Sequence, residues 1–213
     1  MADQAIVLPP PDGRVQLDRN RRYYDRSARS LERRKLTSRL DAVETSRILE
    51  FLKTGSADVL DVGCGTGHLL DQADAEFKVG VDLSISMLRL ARERGCPAHL
   101  ILADGSRLPF RDRNFTWVVS QDAIVHFSDP RALAREMSRV CKGGGRIIVT
   151  ATRRTLFSRL ASIYARINLR VYLRSYTLRE LEKIYEVSGA HTISSETIGS
   201  SLILLLATPG TRG

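Results

Sequence analysis

The stretch Val59-Leu60-Asp61-Val62-Gly63-Cys64-Gly65-Thr66-Gly67-His68 is the most informative in the chain. A short apolar run, Asp58 to Val62, meets three glycines at alternate positions, and a helical pattern follows over His68 to Ala75. A strand that passes through a glycine loop into a helix opens an α/β unit and lets backbone approach a ligand closely. In open α/β sheets that ligand sits at the carboxyl ends of the strands. The spacing is G-x-G-x-G. A dinucleotide fingerprint, G-x-G-x-x-G, needs glycine where His68 stands, and a phosphate-binding P-loop needs Gly-Lys-Ser/Thr after the loop. Neither is present.

Further strands and helices alternate after this unit. Lys78 to Val81, Ala98 to Leu102, Phe115 to Ser120 and Arg146 to Thr150 read as strands. Ser84 to Arg94 and Pro130 to Val140 read as helices, the second after an Asp-Pro start signal. Lys142-Gly143-Gly144-Gly145 reads as a turn. Alternation of this kind predicts a mostly parallel sheet covered on both faces, wound by right-handed crossovers. The C-terminal part reads as a helix, Leu178 to Ser188, with Thr177 and Glu180 as a capping pair and Gly189 as its stop. Two strands, His191 to Thr197 and Leu202 to Ala207, then form a hairpin. The expected fold is an α/β doubly wound three-layer sandwich: a seven-stranded, mostly parallel sheet with an antiparallel C-terminal strand. Residues 1–18 read as a flexible lead-in and 19–209 as one domain. Within it, 19–52 form an N-terminal helical cover, 56–150 a ligand-binding core, 151–176 a basic helical insertion and 177–209 the closing helix and strands.

In the N-terminal cover, Arg19 to Leu52 reads as one or two helices, with Leu36, Leu40, Val43 and Ile48 as an apolar stripe and Thr54-Gly55-Ser56 as the break. In the insertion, Leu156, Leu160, Ile163, Tyr164, Ile167 and Val171 recur at helical spacing. Their apolar side is expected to pack on the domain. The alternative is peripheral contact with an anionic membrane.

The 213 residues carry 33 Lys+Arg, 24 Asp+Glu and a formal charge of +9. The hydrophobic share of 43% excludes a mostly disordered or collagen-like chain. No apolar run approaches the ~20 residues of a membrane span, and no signal-peptide pattern opens the chain. Cys64, Cys96 and Cys141 have no metal-ligand spacing. A cytoplasmic protein with reduced cysteines and no metal is expected. The charge is uneven: Arg14 to Arg39 sums to +7, Arg153 to Lys183 to +6 and the remainder to −4. Either these are two solvated helix faces or they form one basic surface beside a site.

Two acids strengthen the ligand reading. Asp82 ends the second strand, where a carboxylate can accept from two adjacent ribose hydroxyls. Asp104 follows the third strand and can accept from an exocyclic amine such as adenine N6. Alone, each reads equally as a turn or cap residue. Together with the loop they mark the ends of three consecutive strands.

The loop Asp61 to Gly67, Asp82-Leu83-Ser84-Ile85-Ser86-Met87-Leu88, and Asp104 with Leu108-Pro109-Phe110 carry a resemblance. So do Phe115 to Asp129 and Lys142-Gly143-Gly144-Gly145-Arg146. Together they resemble the class I S-adenosylmethionine (SAM)-dependent methyltransferases, particularly the small enzymes of quinone and natural-product biosynthesis. Gly143 stands where that family usually has Pro. The resemblance implies SAM as cofactor, S-adenosylhomocysteine (SAH) as product and a small-molecule acceptor. It places Gly63, Cys64, Gly65 and Gly67 beneath the methionine part of SAM, with Asp61 ordering the loop. Asp82 then holds the ribose, and Leu83 and Met87 pack near the adenine. Asp104, Gly105 and Ser106 meet the adenine, and Gln121 borders the cofactor.

The end of the fourth strand, Ser120 to Phe127, should face the transferable methyl. His126 is the candidate base, since an imidazole titrates near neutrality; its other reading is a hydrogen-bonded residue shaping the pocket. Gln121 and Asp122 could orient the acceptor. The resemblance also implies that the N-terminal helices and the insertion cover the substrate. This makes Tyr23, Tyr24, Arg153, Arg154, Tyr164 and Tyr172 candidates for a basic, partly aromatic lid suited to an anionic acceptor. Other readings are a lipid or quinone methyltransferase, an RNA or DNA methyltransferase, and a SAM-binding protein without turnover. Gln121-Asp122-Ala123-Ile124 lacks the Asn/Asp-Pro-Pro-Tyr pattern of base-amine methylation, which argues against nucleic acid. A monomer or homodimer is expected.

Overall fold

The computed structural model describes residues 13–53 and 58–210, without the side chains of 34–37. Leu36, residues 1–12 of the lead-in and Thr54-Gly55-Ser56 therefore lie outside the described residues. Seven strands form one sheet: β1 (Asp58–Val62), β2 (Phe77–Asp82), β3 (His99–Leu102), β4 (Phe115–Ser120), β5 (Cys141–Thr152), β6 (His191–Ile198) and β7 (Ser201–Ala207). Their order is β3-β2-β1-β4-β5-β7-β6. β1 to β5 pair in parallel and β7 runs antiparallel between β5 and β6. The helices are α1 (Gly13–Thr37), α2 (Arg39–Leu52), α3 (His68–Gln72), α4 (Ile85–Glu93), α5 (Pro130–Val140), α6 (Leu156–Tyr164) and α7 (Leu178–Glu186).

The central strands are near-continuous apolar runs because both faces are covered. In β7, Leu202, Leu204 and Leu206 join one core layer while Ile203 and Leu205 join the other. The first layer is completed by Leu133 and Met137 of α5 and by Leu181 and Tyr185 of α7. The second is completed by Ile48 and Leu52 of α2, Leu69 and Leu70 of α3, and Leu88 of α4. Caps fix several helix starts. Asp129 accepts from Arg131 N ahead of Pro130. Thr177 and Glu180 make the expected reciprocal pair.

Four expectations change. Helix α1 begins at Gly13, so residues 13–18 belong to the helical cover and not to the lead-in. Its join to α2 is Ser38, whose side chain accepts from Asp41 N. Val43 is exposed, and α2 instead buries Glu44 and Thr45 beside Ile48 and Leu52. The glycine run 142–145 lies within β5 as an irregularity that shifts its register against β4 between Phe115 and Trp117.

The fourth change concerns the insertion. α6 turns Ser158 inward and leaves Leu156, Leu160, Ile163 and Tyr164 in solvent. Of the expected stripe only Val171, beyond α6, is buried; the apolar side of α6 itself does not pack on the domain. Helical winding loosens into one wider turn, Ala165–Leu169, and ends at Arg170 in the left-handed region.

Candidate functional site

At the carboxyl ends of β1, β2 and β3 lies a cavity of about 570 Å³, within the usual range for a small-molecule site, roughly 300–1,000 Å³. The glycine loop forms its floor. Gly63 N and Cys64 N both donate to Val81 O, at 2.7 and 3.1 Å, which ties the loop to β2. Gly63 has φ +82°, and a Cβ there would stand 2.3 Å from that of Ala123. Only glycine allows this loop to touch the segment after β4. Gly65, at φ +55°, would meet nothing within 4 Å, because it faces the open cavity.

Asp82 organises the same wall. Its Oδ2 accepts from Gly65 N at 2.8 Å and its Oδ1 from Ser84 N at 2.8 Å. The carboxylate therefore bridges the β1 loop and the start of α4 while lining the cavity. Asp104 Oδ1 accepts from Ser106 N at 2.9 Å, forming a turn that also brings Gly105 to the wall. That turn is held from below: Leu108 N donates to Glu136 Oε2, and Arg139 donates to the carbonyls of Leu108 and Phe110. The Arg139 guanidinium holds the Glu136 carboxyl below its ordinary range.

Leu83, Met87, Gln121 and Asp122 also line the cavity. Asp122 has φ +53°, a conformation that aspartate adopts more readily than most residues. Its N–H donates to Thr150 Oγ1, and that hydroxyl donates to the buried Glu44 Oε1 of α2 at 2.6 Å. Gln121 Nε2 donates to Thr45 Oγ1. Helix α2 thus positions the end of β4, and its Asp41 also lines the cavity.

Helix α1 forms the roof. Gln16, Asn20, Tyr24, Ala28 and Glu32 recur every four residues on its inward face. Gln16 Nε2 and Asn20 Nδ2 both donate to the His126 carbonyl, at 3.0 and 2.9 Å. Asn20 Oδ1 accepts from Tyr172 N. Glu32 pairs with His68 and Arg94 beyond the glycine loop. On the neighbouring face, Asp25 Oδ1 accepts from Ser84 Oγ at 2.6 Å.

His126 sits under this roof. The Tyr24 hydroxyl is hydrogen-bonded to its Nε2 at 2.6 Å, the donor being set by the ring tautomer. Desolvation pushes the imidazole down to about 4, the Tyr172 carbonyl opposing the shift. The ring is neutral at neutral pH and its Nε2 is taken up by Tyr24.

The structure brings together at the cavity wall Gly63, Gly65, Asp82, Leu83, Met87, Asp104, Gly105, Ser106, Gln121, Asp122, His126 and Tyr24. It does not bring the others there. Asp61 and Cys64 are buried beneath the loop, and Gly67 packs against Cys96. Tyr23 stands edge-on to Tyr24 outside the wall. Arg154 pairs with Glu180, Arg153 and Tyr164 are exposed, and Tyr172 reaches the site by its backbone alone. Arg14, Leu17 and Arg21 of α1 line the cavity and were missed. So were Gln16, Asn20 and Glu32, although their four-residue spacing with Tyr24 signals a single face.

The residues fit an adenosyl ligand carrying an amino-acid arm. An open cradle at Gly65, a backbone-braced carboxylate at Asp82 and the Asp104 turn lie in succession along one wall. Comparison with known proteins agrees. Residues 60–149 match a methyltransferase domain family. A human protein described as a probable tRNA methyltransferase 9B is 38% identical over 109 residues, spanning 48% of this chain and 23% of that protein. A demethylmenaquinone methyltransferase of Corynebacterium urealyticum is 30% identical over 146 residues, spanning 68% of this chain and 59% of that protein. Both matches cover less than two thirds of the relative's length. In fold, magnesium protoporphyrin IX methyltransferase of Synechocystis PCC 6803, solved with bound SAH, has a TM-score of 0.71 at 17% identity. It covers 88% of this chain and 97% of that one.

Proposed function

We propose that this chain, which carries a class I SAM-dependent methyltransferase domain, moves the methyl group of SAM onto a small-molecule acceptor held between α1 and the segment after β4. The observation that carries this reading is the convergence of Gly65, Asp82 and Asp104 on one wall of the cavity roofed by α1. In this reading Asp82 accepts from the ribose hydroxyls, and Asp104, Gly105 and Ser106 meet the adenine edge. Leu83 and Met87 pack on the adenine, and the Gly63–Gly65 backbone receives the methionine arm. When bound, SAM supplies an electrophilic methyl: the acceptor's lone pair forms a bond to carbon as the carbon–sulfur bond breaks, its electrons passing to sulfur.

The chain's own share is alignment and exclusion of water. Holding an acceptor in line can contribute roughly 7–11 kcal/mol. The α1 roof, latched through Gln16, Asn20, Tyr24 and Glu32, serves both ends. Arg14 and Arg21 line the cavity with Tyr24, Arg21 pairing with the exposed Asp18 at 3.3 Å, and suit an acceptor that is anionic, aromatic or both. They take over the role first given to Arg153 and Arg154. A neutral imidazole of pKa about 4 is a poor match for general-base work near pH 7. His126 is therefore a positioning residue that holds Tyr24. The test is SAH release, followed by mass spectrometry, from SAM and a panel of small carboxylates and phenols. Release that needs an acceptor, with a higher KM in Arg21→Ala, supports the proposal. No release with any acceptor, from a chain that binds SAM, refutes turnover on such molecules.

A second reading has one observation in its favour. Arg19, Arg22, Arg26, Arg29 and Arg33 form an exposed stripe along the outer side of α1, and the name of the human relative mentions tRNA. An RNA acceptor would give a gel shift with tRNA that weakens steeply with salt. Absence of a shift at low salt removes it.

A further inference from the structure

Helix α6 is amphipathic in the inverse sense. It turns Ser158 inward, and the wider turn after it buries Ala165. Facing out are Leu156 at 75% exposure, Phe157 at 81%, Leu160 at 57%, Ile163 at 48%, Tyr164 at 61% and Ile167 at 62%. At about 100° per residue the five within α6 share one side of the helix, opposite Ser158, and Ile167 follows in the wider turn. Arg159 and Arg166 fall along one flank. From Ala151 to Arg179 the chain has seven arginines and no Asp or Glu. An exposed apolar patch of this kind marks an interaction surface.

We infer that this face docks peripherally on an anionic lipid surface. The charge argument selects the occupant. A second copy meeting the patch in a two-fold contact would set Arg159 and Arg170, in a segment with no acid of its own, against their own copies. Lipid phosphates complement the exposed Arg159 and Arg170, while the apolar residues enter the headgroup boundary. Tyr164 is of the aromatic type enriched at that depth, and Phe157 is of the apolar type that interfacial helices bury there. No residue of α6 lines the cavity, so the inference is independent of the chemistry proposed there.

The test is co-sedimentation of the full chain with vesicles of phosphatidylcholine alone or mixed with phosphatidylglycerol. The chain should pellet with the mixed vesicles only, and less as salt rises. Phe157→Ser with Leu160→Ser, and separately Arg159→Glu with Arg170→Glu, should each lower partitioning by at least about tenfold. All four positions are exposed, so the fold should persist. SAH affinity, measured on the same variants, should not change, which separates this outcome from that of the cofactor reading. The inference is overturned if the wild-type chain stays in the supernatant at low salt, or if both double variants pellet like wild type. It is also overturned if a lipid-independent oligomer forms that Leu160→Ser dissolves.

Discussion

Replacing Asp82 by Asn keeps the volume and removes the charge. The carboxylate now serves two backbone donors, Gly65 N and Ser84 N, each at 2.8 Å. In the proposed complex it also serves the ribose. An amide has one acceptor oxygen, so its NH₂ must face a donor it cannot satisfy. A hydrogen bond to a charged group contributes about 1.5–3 kcal/mol, and an unsatisfied buried donor costs about 1–3 kcal/mol. Losing one such bond and weakening another should cost about 3 kcal/mol in cofactor affinity, roughly a hundredfold in Kd. The loop loses part of its tether even without ligand. A loss of about 1 kcal/mol there should lower Tm by roughly 2–4 °C in a domain of this size. Isothermal titration with SAH and a thermal melt measure both effects. A Kd for Asp82→Asn within about threefold of wild type, under about 0.7 kcal/mol, would refute the role given to this carboxylate.

Three further outcomes follow from the geometry. Gly63→Ala places a Cβ 2.3 Å from Ala123 at φ +82° and should lower Tm by several degrees. Gly65→Ala has open space but keeps a left-handed φ of +55°, so it should lower Tm clearly less than Gly63→Ala while weakening SAH binding, because its methyl enters the cradle; equal effects of the two on Tm would contradict the loop assignment. For His126, the folded pKa of about 4 lies below the ordinary 6.5, so the unfolded chain binds more protons between those values. Stability should fall as pH drops through that window, by up to about 3 kcal/mol, and His126→Gln should flatten the slope; an NMR titration of the ring near 6.5 would sink this reading. Glu32→Gln weakens the latch to His68 and Arg94, and should speed amide exchange along α1 while leaving β1 and β4 protected; unchanged exchange in α1 would deny the latch.

The sheet, and the placing of Gly65, Asp82 and Asp104 on one cavity wall, were legible because their signals are local. β1, β4 and β7 are short apolar runs, and the glycine spacing after β1 carries its own backbone requirement. Asp82 and Asp104 could be placed because each ends a strand. The roof was not legible for the opposite reason. Gln16 and Asn20 meet the His126 carbonyl more than a hundred positions away, and polar residues at four-residue spacing read as a solvated face. Arg153 and Arg154 looked like lid residues because charge shows where it sits in sequence and not where it points. Arg154 spends its charge on Glu180. The α6 stripe was seen, but periodicity does not say which side of a helix faces the domain. The Asp122–Thr150–Glu44 chain left no local trace, since its members come from three separate elements.

The most direct check is a crystal structure of the full chain with SAH. The ribose hydroxyls should lie on Asp82, the adenine between Met87 and the Asp104–Ser106 turn, and the sulfur should face the segment from Gln121 to His126. Density for SAH outside this cavity, or in it with the adenosine and amino-acid ends reversed, would contradict the assignment.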